Sequence, residues 1–179
     1  MSEPTWRVRL GKLARAVTGS RTASPAPAQR PGQPTTPRDQ PPRAYAGDFD
    51  GVPSVSYDPH DDGEPDPGEV VWAWVPYEED ASQGKDRPVI VIGRDGRSLL
   101  ALAFTSKDHD RDEAQEARAG RFWFDLGAGA WDPSGRPSEV RLDRVLRLDP
   151  GAVRREGATL DRVRFDAMVA ELRRIGGGR

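Results

Sequence analysis

"GKDRPVIVIGRDGRSLLALAFTS" spans residues 84–106 and holds two apolar runs on either side of Asp95-Gly96. Asp-Gly between two runs of strand-forming residues is a strong hairpin signal, so the stretch predicts an antiparallel β-hairpin. Its two ends are polar, because Arg87 precedes the first run and Thr105 ends the second. The apolar middle predicts packing, and the polar ends predict a functional site.

Two registers of this hairpin are compatible with the sequence, and both bring its polar ends together. A turn centred on Asp95-Gly96 places Arg87 opposite Phe104, whereas a three-residue turn over residues 95–97 places Arg87 directly opposite Thr105. Cross-strand neighbours have Cβ atoms roughly 5–8 Å apart. In either register a guanidinium and a hydroxyl lie within reach of one small anion.

An anion site at this position suits a phosphodiester. Arginine stays charged at any working pH and matches phosphate oxygens with two parallel hydrogen bonds. The alternative interpretation is structural: Arg87 forms an ion pair with Asp86 or with a loop carboxylate, and Thr105 is an ordinary strand residue. The spacing of the residues leaves both interpretations open.

The remaining sequence predicts a small, mainly β domain over residues 68–176. Short apolar or alternating runs predict further strands, and a run with helical spacing after Thr159 predicts a C-terminal helix. Trp72 and Trp74 lie two apart on one predicted strand, where paired tryptophans serve either base stacking or packing. The predicted strands cover 69–75, 88–93, 98–104, 121–126 and 139–148, and the predicted helix covers 160–175.

The first 67 residues predict no folded domain. Residues 1–18 have apolar residues at helical spacing among basic ones and predict a basic amphipathic segment. Residues 19–67 predict a disordered linker, rich in proline and ending in an acidic lead-in. Residues 1–47 contain eight basic and two acidic side chains, whereas the rest contains 19 basic and 27 acidic ones. The basic arm predicts contact with nucleic acid or membrane, or serves only to keep a tail soluble.

Composition excludes several classes of site. The chain has no cysteine, which excludes disulfides and thiolate metal sites and favours a cytoplasmic location. The longest apolar run, residues 99–104, is too short to span a bilayer. The acidic runs at 58–64 and 108–113 lack the ligand spacing of a calcium loop. We therefore expect no metal and no cofactor and, with the basic arm interpreted as a soluble tail, no membrane partner.

Three stretches together resemble the PemK/MazF-type toxins of bacterial type II toxin–antitoxin systems. The resemblance covers about residues 68–175 and lies in the order of the motifs: an opening strand ending near proline, Arg-Pro before an apolar strand, a strand ending in Thr-Ser, and a late strand followed by a helix that begins at Leu-Asp. The stretches are "GEVVWAWVPYEEDASQGKDRPVIVIGRDG", "LLALAFTSKD" and "SEVRLDRVLRLDPGAVRREGATLDRVRFDAMVAELRRI".

This resemblance implies a fold and an activity. The family adopts a small SH3-like antiparallel β-barrel with a C-terminal helix and forms homodimers. Its members are endoribonucleases that cut single-stranded RNA at short sequences without metal. A cognate antitoxin neutralises them, and the complex of toxin and antitoxin binds DNA. The functional arginine of the family matches Arg87 and its functional Thr/Ser matches Thr105, with Ser106 beside it.

The implied reaction is attack by a ribose 2′-OH on its own phosphate, with Arg87 stabilising the extra negative charge. Arginine is a poor general base, so the acid and base are expected among His109, Glu78 and Glu79. Further RNA contacts are expected from Lys85, Lys107 and Arg94. The alternative is a non-catalytic SH3-like barrel that binds a peptide or nucleic acid in the same groove. The acidic body favours this alternative, since a polyanion normally binds a basic surface.

Overall fold

The computed structural model describes residues 45–106, 113–154 and 157–176. They form seven strands and two helices, which confirms the predicted mainly β class with a C-terminal helix. The predicted segment 1–18 and the linker up to residue 44 lie outside the described residues. The elements are β1 (Asp48–Phe49), β2 (Val70–Pro76), β3 (Gly84–Asp95), β4 (Ser98–Thr105), α1 (Glu113–Arg118), β5 (Trp123–Gly127), β6 (Ser138–Arg141), β7 (Val145–Leu148) and α2 (Arg162–Gly176), with a 3-10 helix at Pro150–Ala152.

Strand β4 organises the sheet because it has different partners along its length. The order β1-β7-β4-β3-β2 is antiparallel throughout. Residues Leu99–Ala101 of β4 pair with β7, whereas Phe104 and Thr105 pair with β6, which in turn pairs with β5. The sheet therefore divides at the end of β4, and Thr105 lies at the division.

The β3–β4 hairpin brings Arg87 opposite Thr105, but its turn lies at a different position from the predicted one. Asp95 pairs with Ser98, so the turn consists of Gly96 and Arg97, one position later than predicted. A bulge between Val91 and Gly93 then shifts the register, so that Val89 pairs with Ala103. Two residues further along each strand lie Arg87 and Thr105. The bulge thus restores the neighbours that a three-residue turn would have given.

Both faces of the central strands are apolar and buried. Alternate residues of β3 and β4, such as Ile90 and Leu102, join a large cluster with the apolar face of α2. The intervening residues, such as Val89 and Ala101, belong to a second cluster on the opposite face. Burial on both faces explains why the two runs read as continuous apolar stretches rather than as alternating ones.

The predicted strand over 139–148 is two strands. β6 ends at Arg141 and β7 begins at Val145, and they pair with different parts of β4. The alternation of apolar and polar residues continues across the break, so the sequence shows one strand where the backbone bends. The break matters for function because Asp143 and Arg144 lie in or beside it.

The described fold extends N-terminally of the predicted boundary at residue 68. β1 pairs with β7, and Val55 forms a bridge with Gly93. A Cβ atom on Gly93 would lie 2.0 Å from the Ser54 carbonyl oxygen, so only glycine admits this approach. Tyr57 packs against the main cluster and donates a hydrogen bond to the Leu160 carbonyl at 2.9 Å. Residues 45–67 are part of the packed domain and not a disordered lead-in.

Helix α2 covers one end of the main cluster with four buried residues. The helix predicted over 160–175 starts two residues later in the structure, because α2 begins at Arg162. Asp161 takes the capping role, because its carboxylate accepts a hydrogen bond from the Arg164 backbone N–H at 3.0 Å. The four buried residues are Phe165, Met168, Val169 and Leu172.

Candidate anion-binding site

Arg87 and Thr105 line the same cavity, which has a volume of about 180 Å³. They approach it from neighbouring strands, at the open end of the hairpin, where the second partner of β4 changes from β7 to β6. We call this space the Arg87 cavity. The other lining residues come from β2 and the loop after it, from β5 and from β6 with the following bend: Val75, Pro76, Tyr77, Glu78, Glu79, Ala103, Phe104, Trp123, Arg141 and Arg144.

The charge on Arg87 is not neutralised within the described part of the chain. Its guanidinium is half-buried and has no ion pair with any described residue. Burial lowers the pKa of Arg87, the nearby charge of Arg144 lowers it further, and Tyr77 acts in the opposite direction. The arginine nevertheless stays protonated in water. A half-buried cation with this environment gains energy when an anion binds beside it.

The structural alternative for Arg87 is wrong in its named partner. Asp86 forms an ion pair with Arg154 instead, with an Nη2–Oδ2 distance of 2.6 Å. The carboxylates of the neighbouring loop do not compensate Arg87 either, since Glu78 binds a different arginine. Thr105, half-buried, pairs with Glu139 of β6 in the sheet register.

Arg141 is held by two carboxylates. It donates hydrogen bonds to Asp143, with an Nη2–Oδ2 distance of 2.7 Å, and to Glu78, with an Nη1–Oε2 distance of 2.8 Å. Asp143 also accepts a hydrogen bond from the Phe122 backbone N–H at 2.8 Å. Burial alone would lower the pKa of Arg141, but the hydrogen bonds to Asp143 and Glu78 outweigh it and raise the pKa. The same bonds lower the pKa of Glu78.

Arg144 connects the cavity wall to the N-terminal part of the fold. Its Nε donates to Asp48 at 2.8 Å, and its Nη1 donates to the Pro76 carbonyl at 2.8 Å. The Arg144 side chain is 12% exposed. The unexpected arginine on an apolar strand face is therefore satisfied by a carboxylate of β1 and by the end of β2.

Three arginines thus face one cavity, and two of them already have carboxylate partners. Arg141 has Asp143 and Glu78, and Arg144 has Asp48, whereas Arg87 has none among the described residues. The local excess of positive charge lies on Arg87, beside the Thr105 hydroxyl. Although the whole chain carries a net charge of −2, this cavity is suited to a phosphate.

A second cavity of about 540 Å³ borders the same strand ends. It shares Arg87, Phe104 and Thr105 with the Arg87 cavity, and it also contains Ser106 and Lys85. Trp72 lines this second cavity, and Trp74 lines another one. Neither tryptophan belongs to a hydrophobic cluster of the described residues, so the packing interpretation does not account for them within the described domain.

The structure brings only some of the predicted site residues together. Glu78 and Glu79 line the Arg87 cavity, and Ser106 and Lys85 line the second one. Arg94 lies outside both cavities, seven residues along β3 and roughly 23 Å from Arg87. It donates a hydrogen bond to the Pro65 carbonyl at 3.1 Å, and its predicted RNA contact stays a prediction.

Two of the predicted residues lie outside the described part of the chain. These are His109, the expected acid or base, and Lys107, an expected RNA contact. Their predicted roles stay predictions.

Sequence reasoning missed the site roles of Arg141, Asp143 and Arg144. Arg141 and Asp143 lie on the solvated side of the strand pattern, which is typical of surface charges. Arg141 binds Asp143 nearby, but the other carboxylate partners lie far away in sequence, 63 residues for Arg141 with Glu78 and 96 for Arg144 with Asp48. The only local signal was Arg144, whose position on the apolar side of the pattern required a partner.

The part of the chain that contains the cavity matches one protein family. The family model described as "PemK-like, MazF-like toxin of type II toxin-antitoxin system" matches residues 66–176, more than half of the chain. No curated protein gives a significant match. No described helix is long and apolar enough to cross a membrane. Among the described residues, no group of three or more histidine, aspartate or glutamate side chains has an arrangement that would hold a metal ion.

Proposed function

The chain belongs to the PemK-like, MazF-like toxins of type II toxin–antitoxin systems, and we propose that it is an endoribonuclease that cleaves single-stranded RNA at short sequences without metal. The observation that supports this function most is the half-buried Arg87, which has no carboxylate partner among the described residues and lies beside Thr105. A purely structural arginine at this depth would be expected to have a partner.

The proposed reaction is an internal transesterification. The ribose 2′-oxygen attacks the adjacent phosphorus, the bond from phosphorus to the 5′-oxygen breaks, and the products are a 2′,3′-cyclic phosphate and a 5′-OH. One proton leaves the 2′-OH and one reaches the departing 5′-oxygen. Negative charge grows on the non-bridging oxygens, where Arg87 and the Thr105 hydroxyl donate hydrogen bonds. Donors fixed before the reaction are effective because they need not reorganise.

The general acid and base remain to be assigned among three residues. Glu78 lines the cavity, but its hydrogen bonds with Arg141 lower its pKa, which makes the carboxylate a weak base and excludes it as an acid near neutral pH. Glu79 lines the cavity and is exposed. Histidine is the residue type whose ordinary pKa best suits both steps, which favours His109. We place His109 first and Glu79 second.

Membership of this family also supports proposals about partners. We propose that a cognate antitoxin neutralises the protein by covering the Arg87 cavity and the loop over residues 77–83. We further propose that the protein forms a homodimer, and that its complex with the antitoxin binds DNA. The cytoplasm, where mRNA and antitoxin are present, is the proposed location.

The test is cleavage of single-stranded RNA in the presence of EDTA. The wild type is expected to cut and to leave cyclic phosphate ends, and Arg87→Ala is expected to be inactive. Arg94→Ala is the matched control, since it removes the same side chain from the same strand away from the cavity. Equal, vanishing activity in the wild type and in Arg87→Ala would instead support the non-catalytic binding module.

A further inference from the structure

The wall of the Arg87 cavity contains a tryptophan that the proposed reaction does not use. Trp123 of β5 is paired with Arg141 of β6, so the two side chains project from the same face of the sheet. Both residues line the cavity with Arg87 and Thr105. An aromatic ring therefore lies in the same space as the unneutralised cation.

Burial distinguishes Trp123 from the core tryptophan. The side chain is half-buried, and neither hydrophobic cluster of the described residues includes it. Trp131 provides the contrast, because it is 4% exposed, belongs to the main cluster and packs edge-on against Phe104. Trp131 is therefore a core residue, whereas Trp123 lines the Arg87 cavity outside both clusters.

The Trp123 ring is held in position from its far edge. Its indole Nε1 donates to Glu116 of α1 at 3.2 Å. Glu116 also accepts two hydrogen bonds from Arg121, at 2.6 and 3.2 Å, and its side chain is 14% exposed. A ring that is fixed before binding loses little conformational freedom when a ligand stacks on it.

The spacing in the sheet suits one nucleotide. Thr105 pairs with Glu139 of β6, and Glu139 pairs with Asp125 of β5. Trp123 lies two residues further along β5, so two strand spacings and two residues separate Thr105 from Trp123, roughly 12 Å between Cα atoms. Both side chains project into the cavity, so the Thr105 hydroxyl and the Trp123 ring lie closer together than the two Cα atoms do. Their separation approaches the distance between a phosphate and its own base.

We propose that Trp123 is the base-stacking platform of the site: the nucleobase beside the phosphate held by Arg87 stacks on the indole ring. The proposal rests on the proposed function only in taking single-stranded RNA as the ligand. Every base has a π-face, so stacking of this kind contributes affinity and positions the phosphate without selecting a sequence. Trp123 is thus a positioning residue, and its loss weakens the binding of bases and not of phosphate.

Two probes separate these contributions without knowledge of the recognised sequence. The first is a random pool of single-stranded twelve-nucleotide oligomers with 2′-fluoro riboses, which cannot undergo 2′-attack. The second is inorganic polyphosphate, which presents phosphates but no bases. Affinities for both probes are measured on the full chain at one salt concentration, because phosphate binding depends on salt.

The decisive variants are Trp123→Phe and Trp123→Leu. Both lose the indole N–H and its bond to Glu116, but only phenylalanine keeps an aromatic face. Trp123→Leu is expected to bind the oligomer pool about 5- to 150-fold more weakly than the wild type and to keep its affinity for polyphosphate. Its loss of oligomer affinity should be larger than that of Trp123→Phe. Val163→Ala, which shortens an 80% exposed side chain of α2 outside this cavity, should match the wild type for both probes. Arg87→Ala should lose affinity for both.

The proposal is overturned if the leucine and phenylalanine variants bind the oligomers with equal affinity. It is also overturned if Trp123→Leu loses affinity for the oligomers and for polyphosphate to the same extent, or if the wild type binds neither probe. Cleavage of unmodified RNA by the wild type is measured separately. A wild type that binds oligomers through Trp123 but does not cut would refute the endoribonuclease and leave the stacking platform in place. A wild type that cuts while Trp123→Leu binds normally would refute only the platform.

Discussion

Glu78 accepts two hydrogen bonds from Arg141, at 2.8 and 3.3 Å, across a cavity in which Arg87 has no carboxylate partner among the described residues. Glu78 belongs to the loop after β2, and Arg141 ends β6. The loop is therefore attached to the far wall of the site by an ion pair with a cation that an RNA phosphate would also attract. Binding of RNA and release of the loop are expected to be coupled.

Removing the Glu78 charge is expected to strengthen RNA binding. In Glu78→Gln, Arg141 loses one of its two carboxylate partners. An RNA phosphate then no longer competes with Glu78 for Arg141. Because Glu78 is 56% exposed, the gain should be small, up to about fivefold in affinity for the 2′-fluoro oligomers. Glu171→Gln is the matched control, since it removes a similar carboxylate that pairs with Arg174 on α2. Weaker binding by Glu78→Gln would show that the loop must stay attached to bind RNA.

The pH dependence of cleavage is expected to be independent of Glu78. Hydrogen bonds from Arg141 lower its pKa, so the ion pair is present above the ordinary glutamate value of about 4.3 and is lost only as pH falls through the lowered value. Glu78 thus stays ionised from about pH 5 to 8, and Glu78→Gln should keep every limb of the kcat/KM profile in that range. Loss of a limb in this variant would identify Glu78 as the acid or base.

The Thr105 hydroxyl is expected to contribute to the rate. Thr105→Val keeps the shape of the side chain and removes the donor, and kcat/KM for single-stranded RNA should fall by about 100-fold. Thr105→Ser keeps a hydroxyl and should retain most of the activity. If valine and serine variants have the same rate, the hydroxyl has no role in the reaction and Thr105 serves only the strand.

Residues 45–67 are expected to contribute to the stability of the domain. Tyr57→Ala removes a ring that packs against Phe165 and a hydrogen bond to Leu160, and should lower the free energy of unfolding by about 2–3 kcal/mol in urea titrations. Val52→Ala is the control, because Val52 is 77% exposed and should change nothing measurable. An unchanged midpoint for Tyr57→Ala would restore the disordered lead-in that the sequence predicted.

The hairpin shows how far local sequence determines this site. Two apolar runs around Asp95-Gly96 were enough to predict the strands and to bring Arg87 near Thr105. The actual register depends on the bulge before Gly93, which accommodates the close approach of Ser54 and Val55. No pattern within the hairpin reveals that approach, because its cause lies nearly forty residues earlier in the chain.

The parts that could not be predicted depend on long-range pairing. The acidic, proline-containing stretch before residue 68 has the composition of a linker, yet its Tyr57 packs against Phe165 of α2. Arg94 looked equivalent to Arg87 as a hairpin cation, but the length of β3 places the two at opposite ends. Arg141 has the periodicity of a surface charge, whereas Arg144 falls on the apolar side of the pattern. The break between β6 and β7 places both at the cavity.

The central claim is that the unneutralised charge of Arg87 stabilises the phosphate as it reacts. The most direct measurement is the single-turnover rate of RNA cleavage at saturating protein, compared for the wild type, Arg87→Ala and Arg94→Ala in EDTA. We predict a loss of about 100- to 1,000-fold in Arg87→Ala and a wild-type rate in Arg94→Ala. Equal rates in the two alanine variants would contradict the account.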